Sequence, residues 1–265
     1  MQCSISRYSK LSLGLFGTFA IGYNLSNAIH ELGHALAMWL GGGRVKMVLL
    51  HPFSWSYTYY LGKPPFPATT AAAGVLFSTL VSLCILVVIR RRRSDWLLPL
   101  VATGLCTFIV NAIYLGVDSF MRSGGDGTYL LRYGFPLPAI IGLALLLLPF
   151  GAVFALILLP RLGLKADDGI WPRLPILFSG IGSYLLLMLA YNQLANKPEI
   201  VLWTVYVAIG FLLITIWAVS SPFVEARWNW LRQQHDGDIS WVFALSVLFA
   251  GVVIVAVELL FSDHR

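Results

Sequence analysis

Seven stretches of this chain, at about residues 11–40, 68–89, 96–117, 135–159, 174–191, 201–219 and 240–261, are apolar for long enough to cross roughly 30 Å of hydrocarbon. No water reaches that layer, so each backbone amide must be satisfied within its own segment, and runs of this kind fold as helices. The predicted fold is an all-α polytopic membrane protein with about seven transmembrane helices. Composition points the same way, because 58% hydrophobic and 11% charged residues across 265 positions leave too little polar surface for a soluble domain. The net charge of +6 comes largely from loop arginines, and no basic face with interleaved aromatics is present, which excludes nucleic acid as a partner. Cys3, Cys84 and Cys106 form no C-x-x-C pair and read as small buried residues.

The breaks between the runs carry information of their own. The first run ends at Gly41-Gly42-Gly43, where a helix would cost too much backbone entropy. Residues 44–49 and 55–60 then alternate polar with apolar or aromatic side chains, which predicts two strands forming a small interfacial β element after helix 1, with an aromatic loop at the membrane surface as the alternative. Ala71-Ala72-Ala73-Gly74 opens the second helix with side chains small enough to admit a neighbouring backbone. Four consecutive arginines, residues 90–93, are the strongest topological mark, and they predict a cytoplasmic loop with the N-terminus on the same side. A polar, glycine-rich gap at residues 118–131 is where a second part of any site is to be sought. The chain thus divides into a core over residues 1–134 and additional transmembrane helices over 135–265 with no assignable chemistry.

Within the first run stands His30-Glu31-Leu32-Gly33-His34. Histidines four residues apart project from one helix face, so both imidazoles reach a single cation. Glu31 lies about 100° round the helix and points past the ion, where a general base for a metal-bound water belongs. Zinc is the metal implied, one Zn2+ per chain, because two imidazoles and one further protein ligand leave a fourth position for water. Ionisable side chains in an apolar helix are costly, and they persist where a functional partner compensates them.

The third ligand must come from 12 acids or the remaining histidines. A third histidine six residues after His34 would mark another zinc-protease class, but Leu40 stands there. Asp126 is favoured because Gly125 and Gly127 let its backbone approach another helix. Asp118, His51 and Glu258 stay open.

At His30 to Ala37, followed by Gly41-Gly42-Gly43-Arg44-Val45, the chain resembles the site-2 protease family of intramembrane zinc metalloproteases. The resemblance implies that His30, His34 and Asp126 bind zinc and that Glu31 is the catalytic base. It also implies that the β element receives an unwound membrane-spanning protein substrate as an added strand. Two family positions differ, with Val75 where proline is usual and Gly125 where leucine is usual; the family's asparagine before Asp-Gly has its counterpart in Asn111.

The function expected is therefore peptide-bond hydrolysis in membrane-anchored substrates by a multi-pass protein of the cell membrane, in a bacterium the inner membrane. Two alternatives stand beside it. One is a catalytically inactive relative that binds or chaperones membrane proteins. The other is a prenyl-processing type of zinc endoprotease, which would take Glu258 or Glu225 as its third ligand. Substrate-binding residues and oligomeric state are not legible in the sequence.

Overall fold

Hydrophobic continuity from the N-terminus produces one long helix, α1 (Gln2–Leu40), in the computed structural model, which describes residues 2–92, 94–122, 124–164, 170–220 and 239–262. The helix stops where Gly42 adopts φ +82°, a left-handed conformation that a side chain would strain. Two antiparallel strands follow, β1 (Arg44–Leu49) and β2 (Tyr57–Leu61), with Arg44 opposite Leu61 and Leu49 opposite Tyr57. The expected β element is therefore present as a hairpin. Its second strand begins later than predicted because the connection turns inward, burying His51, Phe53, Ser54 and Ser56.

The remaining elements are α2 (Pro67–Arg91), α3 (Leu98–Met121), the short α4 (Asp126–Arg132), α5 (Leu137–Arg161), α6 (Ile170–Leu177), α7 (Ser183–Leu194), α8 (Pro198–Ser220) and α9 (Trp241–Ser262). A π-helical turn, Phe178–Gly182, joins α6 to α7 without interrupting the rod. Helix α3 is the most enclosed, packed among α1, α2, α5 and α8, while α9 lies along α1.

Five helices among the described residues are long and apolar enough to cross a membrane, rather than the seven expected. The first expected span, within α1, falls short because Asn24, Ser26, Asn27, His30, Glu31 and His34 break its apolarity, and all six are buried inside the protein. In the sixth, within α8, the described side chains from Thr204 to Ile214 form a shorter apolar helical segment.

Small residues let α1 and α2 cross closely. A Cβ placed on Gly33 would lie 2.5 Å from the Ala73 carbonyl oxygen and 2.8 Å from Phe77 Cβ, so α1 and α2 touch at their backbones. At the far end of α1, Arg7 donates to the Gly163 carbonyl (2.8 Å) and Arg161 donates to the Ile89 carbonyl (2.9 Å). These bonds gather the N-terminus of α1 with the C-termini of α2 and α5. His30 and His34 lie about 35 to 40 Å further along α1, toward the opposite end.

Of the cysteines, Cys106 is buried as expected, whereas Cys84 is exposed on the outer face of α2. The Cys3 side chain, like Glu225, lies outside the described residues.

Candidate metal centre

Two hydrogen bonds orient the histidines. His30 Nδ1 faces Asn111 Oδ1 at 3.1 Å and His34 Nδ1 faces the Thr70 carbonyl at 2.7 Å. The Asn111 amide is itself oriented, because its Nδ2 donates to Ser78 Oγ (2.9 Å) while that hydroxyl donates to the Gly74 carbonyl (2.7 Å). An amide oxygen and a carbonyl can only accept, so each imidazole carries its proton on Nδ1 and turns an Nε2 lone pair inward. Those two Nε2 atoms stand 3.1 Å apart.

Asp126 closes the group. Its Oδ2 lies 3.0 Å from His30 Nε2 and its Oδ1 lies 3.3 Å from His34 Nε2. Oδ2 is buried and accepts no hydrogen bond among the described residues. Three lone-pair donors facing one another repel, and only a shared proton or a cation offsets that repulsion. Donors held about 2.0–2.1 Å from a tetrahedral ion sit about 3.3–3.4 Å from each other. The three separations here, 3.0 to 3.3 Å, are close to those edges, so the residues fit zinc.

Local structure explains how Asp126 arrives there. Asp118, at the end of α3, is buried and accepts from the Gly125 amide (3.0 Å) and the Thr128 amide (2.7 Å). It thereby caps the start of α4 and aims Asp126 at the histidines. A Cβ on Gly127 would collide with Ser119 Oγ and meet the Leu115 carbonyl at 2.7 Å, so α4 can lie against α3 only with glycine there.

Glu31 is buried beside the histidines, with a carboxylate oxygen within 4.8 Å of their nitrogens. Thr58 of β2 donates to Glu31 Oε2 at 2.7 Å and lies 3.0 Å from the Glu31 carbonyl. The group opens onto a cavity of about 440 Å³ whose wall includes Thr58, Tyr60, Tyr114, Tyr129 and Tyr133. Burial, and then the charges of Glu31 and Asp126, hold the Tyr60 hydroxyl well above the usual phenol range, so it remains a hydrogen-bond donor at neutral pH.

The other candidate ligands are elsewhere. His51 turns to Tyr191, with Nε2 2.9 Å from its hydroxyl. Asp118 braces α4 and touches neither imidazole in the bonds above. Glu258 belongs to α9, and its buried Oε2 accepts no hydrogen bond among the described residues. The residues that sequence reasoning missed are Thr70 and Thr58, whose contacts are long-range, and Asn111 as the orienting partner of His30. A lone amide in the apolar helix α3 was the available signal for Asn111.

Residues 18–121 match the family model described as Peptidase M50B-like. That matched core is of the site-2 protease family. The site-2 protease match runs from α1 through the hairpin and α2 to the end of α3, so it includes His30, Glu31, His34 and Asn111 and stops before Asp126. No curated protein and no solved structure matches the chain. Together with the five apolar helices, the match makes this an integral membrane protein.

Asn111→Leu removes the acceptor that orients His30, and it should weaken zinc affinity on the order of 10- to 100-fold. Competition with a chromophoric chelator measures this directly.

Proposed function

We propose that the chain is a zinc metalloendopeptidase that hydrolyses peptide bonds of membrane-spanning proteins at or within the cell membrane. The observation that carries the reading is the convergence of His30 Nε2, His34 Nε2 and Asp126 on one point beside Glu31. The Peptidase M50B-like match supports the same class of chemistry.

In this reading His30, His34 and Asp126 hold the ion. Zinc there supplies Lewis acidity, which polarises a scissile carbonyl and lowers the pKa of water toward about 7. Glu31 Oε1, left open while Thr58 occupies Oε2, takes a proton from the attacking water as its oxygen bonds to the carbonyl carbon. Glu31 then gives that proton to the amide nitrogen as the C–N bond breaks. The Tyr60 hydroxyl, on the cavity wall, is a donor available to the carbonyl oxygen.

A helical substrate must unwind before its peptide bond is reachable, and its freed amides then need partners. Among the described residues β2 pairs with β1 alone, and β2 residues line the cavity, so its other edge is available for an added strand. With the arginine-rich end of the bundle in the cytoplasm, the site lies toward the outer leaflet.

Zinc per chain in the detergent-purified protein tests the reading. About one zinc is expected in the wild type, and Asp126→Ala should lose most of it. A wild type that takes up no zinc when the metal is supplied would remove the basis for hydrolysis and favour a membrane-binding relative.

A further inference from the structure

The hairpin that carries Thr58 is not held by the family-matched core alone. Its connecting loop, residues 50–56, enters the bundle and meets α7, which lies beyond the matched residues. Tyr184 donates to the Pro52 carbonyl at 2.7 Å, and its own oxygen accepts from Asn24 of α1 at 3.1 Å. Asn192, fully buried, donates through Nδ2 to the Phe53 carbonyl at 2.5 Å and to the Met188 carbonyl at 2.8 Å. The Phe53 ring packs on Tyr184 and Tyr191 at centroid distances of 5.5 and 5.9 Å.

The loop is also tied to itself. The Phe53 amide donates to His51 Nδ1 (3.1 Å), and the His51 amide donates to Ser56 Oγ (3.2 Å). A displacement at Pro52 or Phe53 therefore carries to Ser56, two residues from Thr58. Buried carbonyls at positions 52 and 53 would be left unsatisfied without α7, which makes these anchors obligatory for the loop's position.

We propose that α7 is a positioning element of the hydrolytic site: Tyr184 and Asn192 fix the hairpin loop, and the loop sets Thr58 against the Glu31 carboxylate. This rests on the protease reading for its catalytic consequence, but the anchoring itself does not. It assigns a task to the half of the chain outside the matched core. Neither Tyr184 nor Asn192 touches the reacting groups; both act through the loop.

Hydrogen–deuterium exchange and cleavage, both on the full chain in detergent, test the proposal. Asn192→Leu and the milder Tyr184→Phe should speed exchange across residues 50–61 while α1 around His30 keeps its protection and zinc stays bound. Leu186→Ala, on the exposed face of the same helix, should change neither. Cleavage is read on a synthetic membrane segment of about 20 residues, rich in Leu, Ala and Gly, between a fluorophore and a quencher. Asn192→Leu and Thr58→Val should each lower kcat on the order of tenfold with little change in KM, and Thr58→Ser should restore it.

Asn192→Leu combined with Thr58→Val should be no slower than Thr58→Val alone, because both act on one contact. Unchanged exchange in both α7 variants would overturn the anchoring, whether or not the peptide is cleaved. Loosened exchange with unchanged kcat, or multiplicative losses in the double variant, would overturn the path through Thr58. A wild type that binds zinc but cleaves nothing would sink the hydrolytic reading instead, and exchange would then decide the anchoring by itself.

Discussion

Glu31→Gln is expected to lower cleavage on the order of 10²- to 10⁴-fold while leaving about one zinc per chain. The carboxamide keeps nearly the volume of the carboxylate, and its oxygen can still accept the Thr58 hydroxyl seen at 2.7 Å. It cannot take a proton from water at neutral pH, so the attacking and departing groups lose their proton carrier. Zinc is retained because His30, His34 and Asp126 are untouched. Zinc content and kcat measured on one preparation check both halves of the expectation. Loss of zinc from Glu31→Gln would mean that Glu31 is itself a ligand, and the roles assigned to Glu31 and Asp126 would have to be exchanged. The proximity of its carboxylate to both imidazoles, within 4.8 Å, makes that a real contest.

Gly74→Ala should empty the centre of metal without removing any ligand. A Cβ at position 74 would collide with His34 Nε2 and lie 2.6 Å from His30 Nε2 and 2.7 Å from His34 Cε1. Both imidazoles are tied at Nδ1, to Asn111 and to Thr70, so neither can yield without breaking a buried hydrogen bond. The methyl group therefore occupies the space in front of the lone pairs. Zinc bound per chain should fall to a small fraction of wild type, and activity should fall with it. A Gly74→Ala protein that binds zinc normally would show that α2 can shift away from α1 at this crossing, against the close contact between Gly33 and Ala73.

Glycine at 74 illustrates what a linear reading can and cannot reach. The run from Ala71 to Gly74 announces a close neighbour, because small side chains in a membrane helix bring backbones together. It does not say that the neighbour is the Nε2 edge of two imidazoles. Asn111 is similar: its polarity in an apolar helix marks it, but its partner, His30, is 81 residues away. Thr58 and Thr70 carry no mark at all, since hydroxyls are cheap near any interface. Of the seven expected spans, five stand among the described residues as helices long and apolar enough to cross a membrane. A polar face on α1 lowers its apolarity because that face is turned inward to build the site, and composition does not distinguish a polar face turned inward from one left in water.

The helical membrane class, the end of α1 at its glycines, the hairpin, and the pairing of His30 with His34 around Glu31 are all legible in the linear chain. Each of these rests on local rules: run length, backbone entropy, strand alternation and the four-residue helical repeat. That Asp126 meets the histidines while Asp118 braces it, and that Thr58 meets Glu31 from a hairpin whose loop is held by Tyr184 and Asn192, follows from the packing of the fold. Those contacts join residues far apart in the chain through buried hydrogen bonds, and a side chain's partner across such a distance is set by packing, which no local pattern encodes.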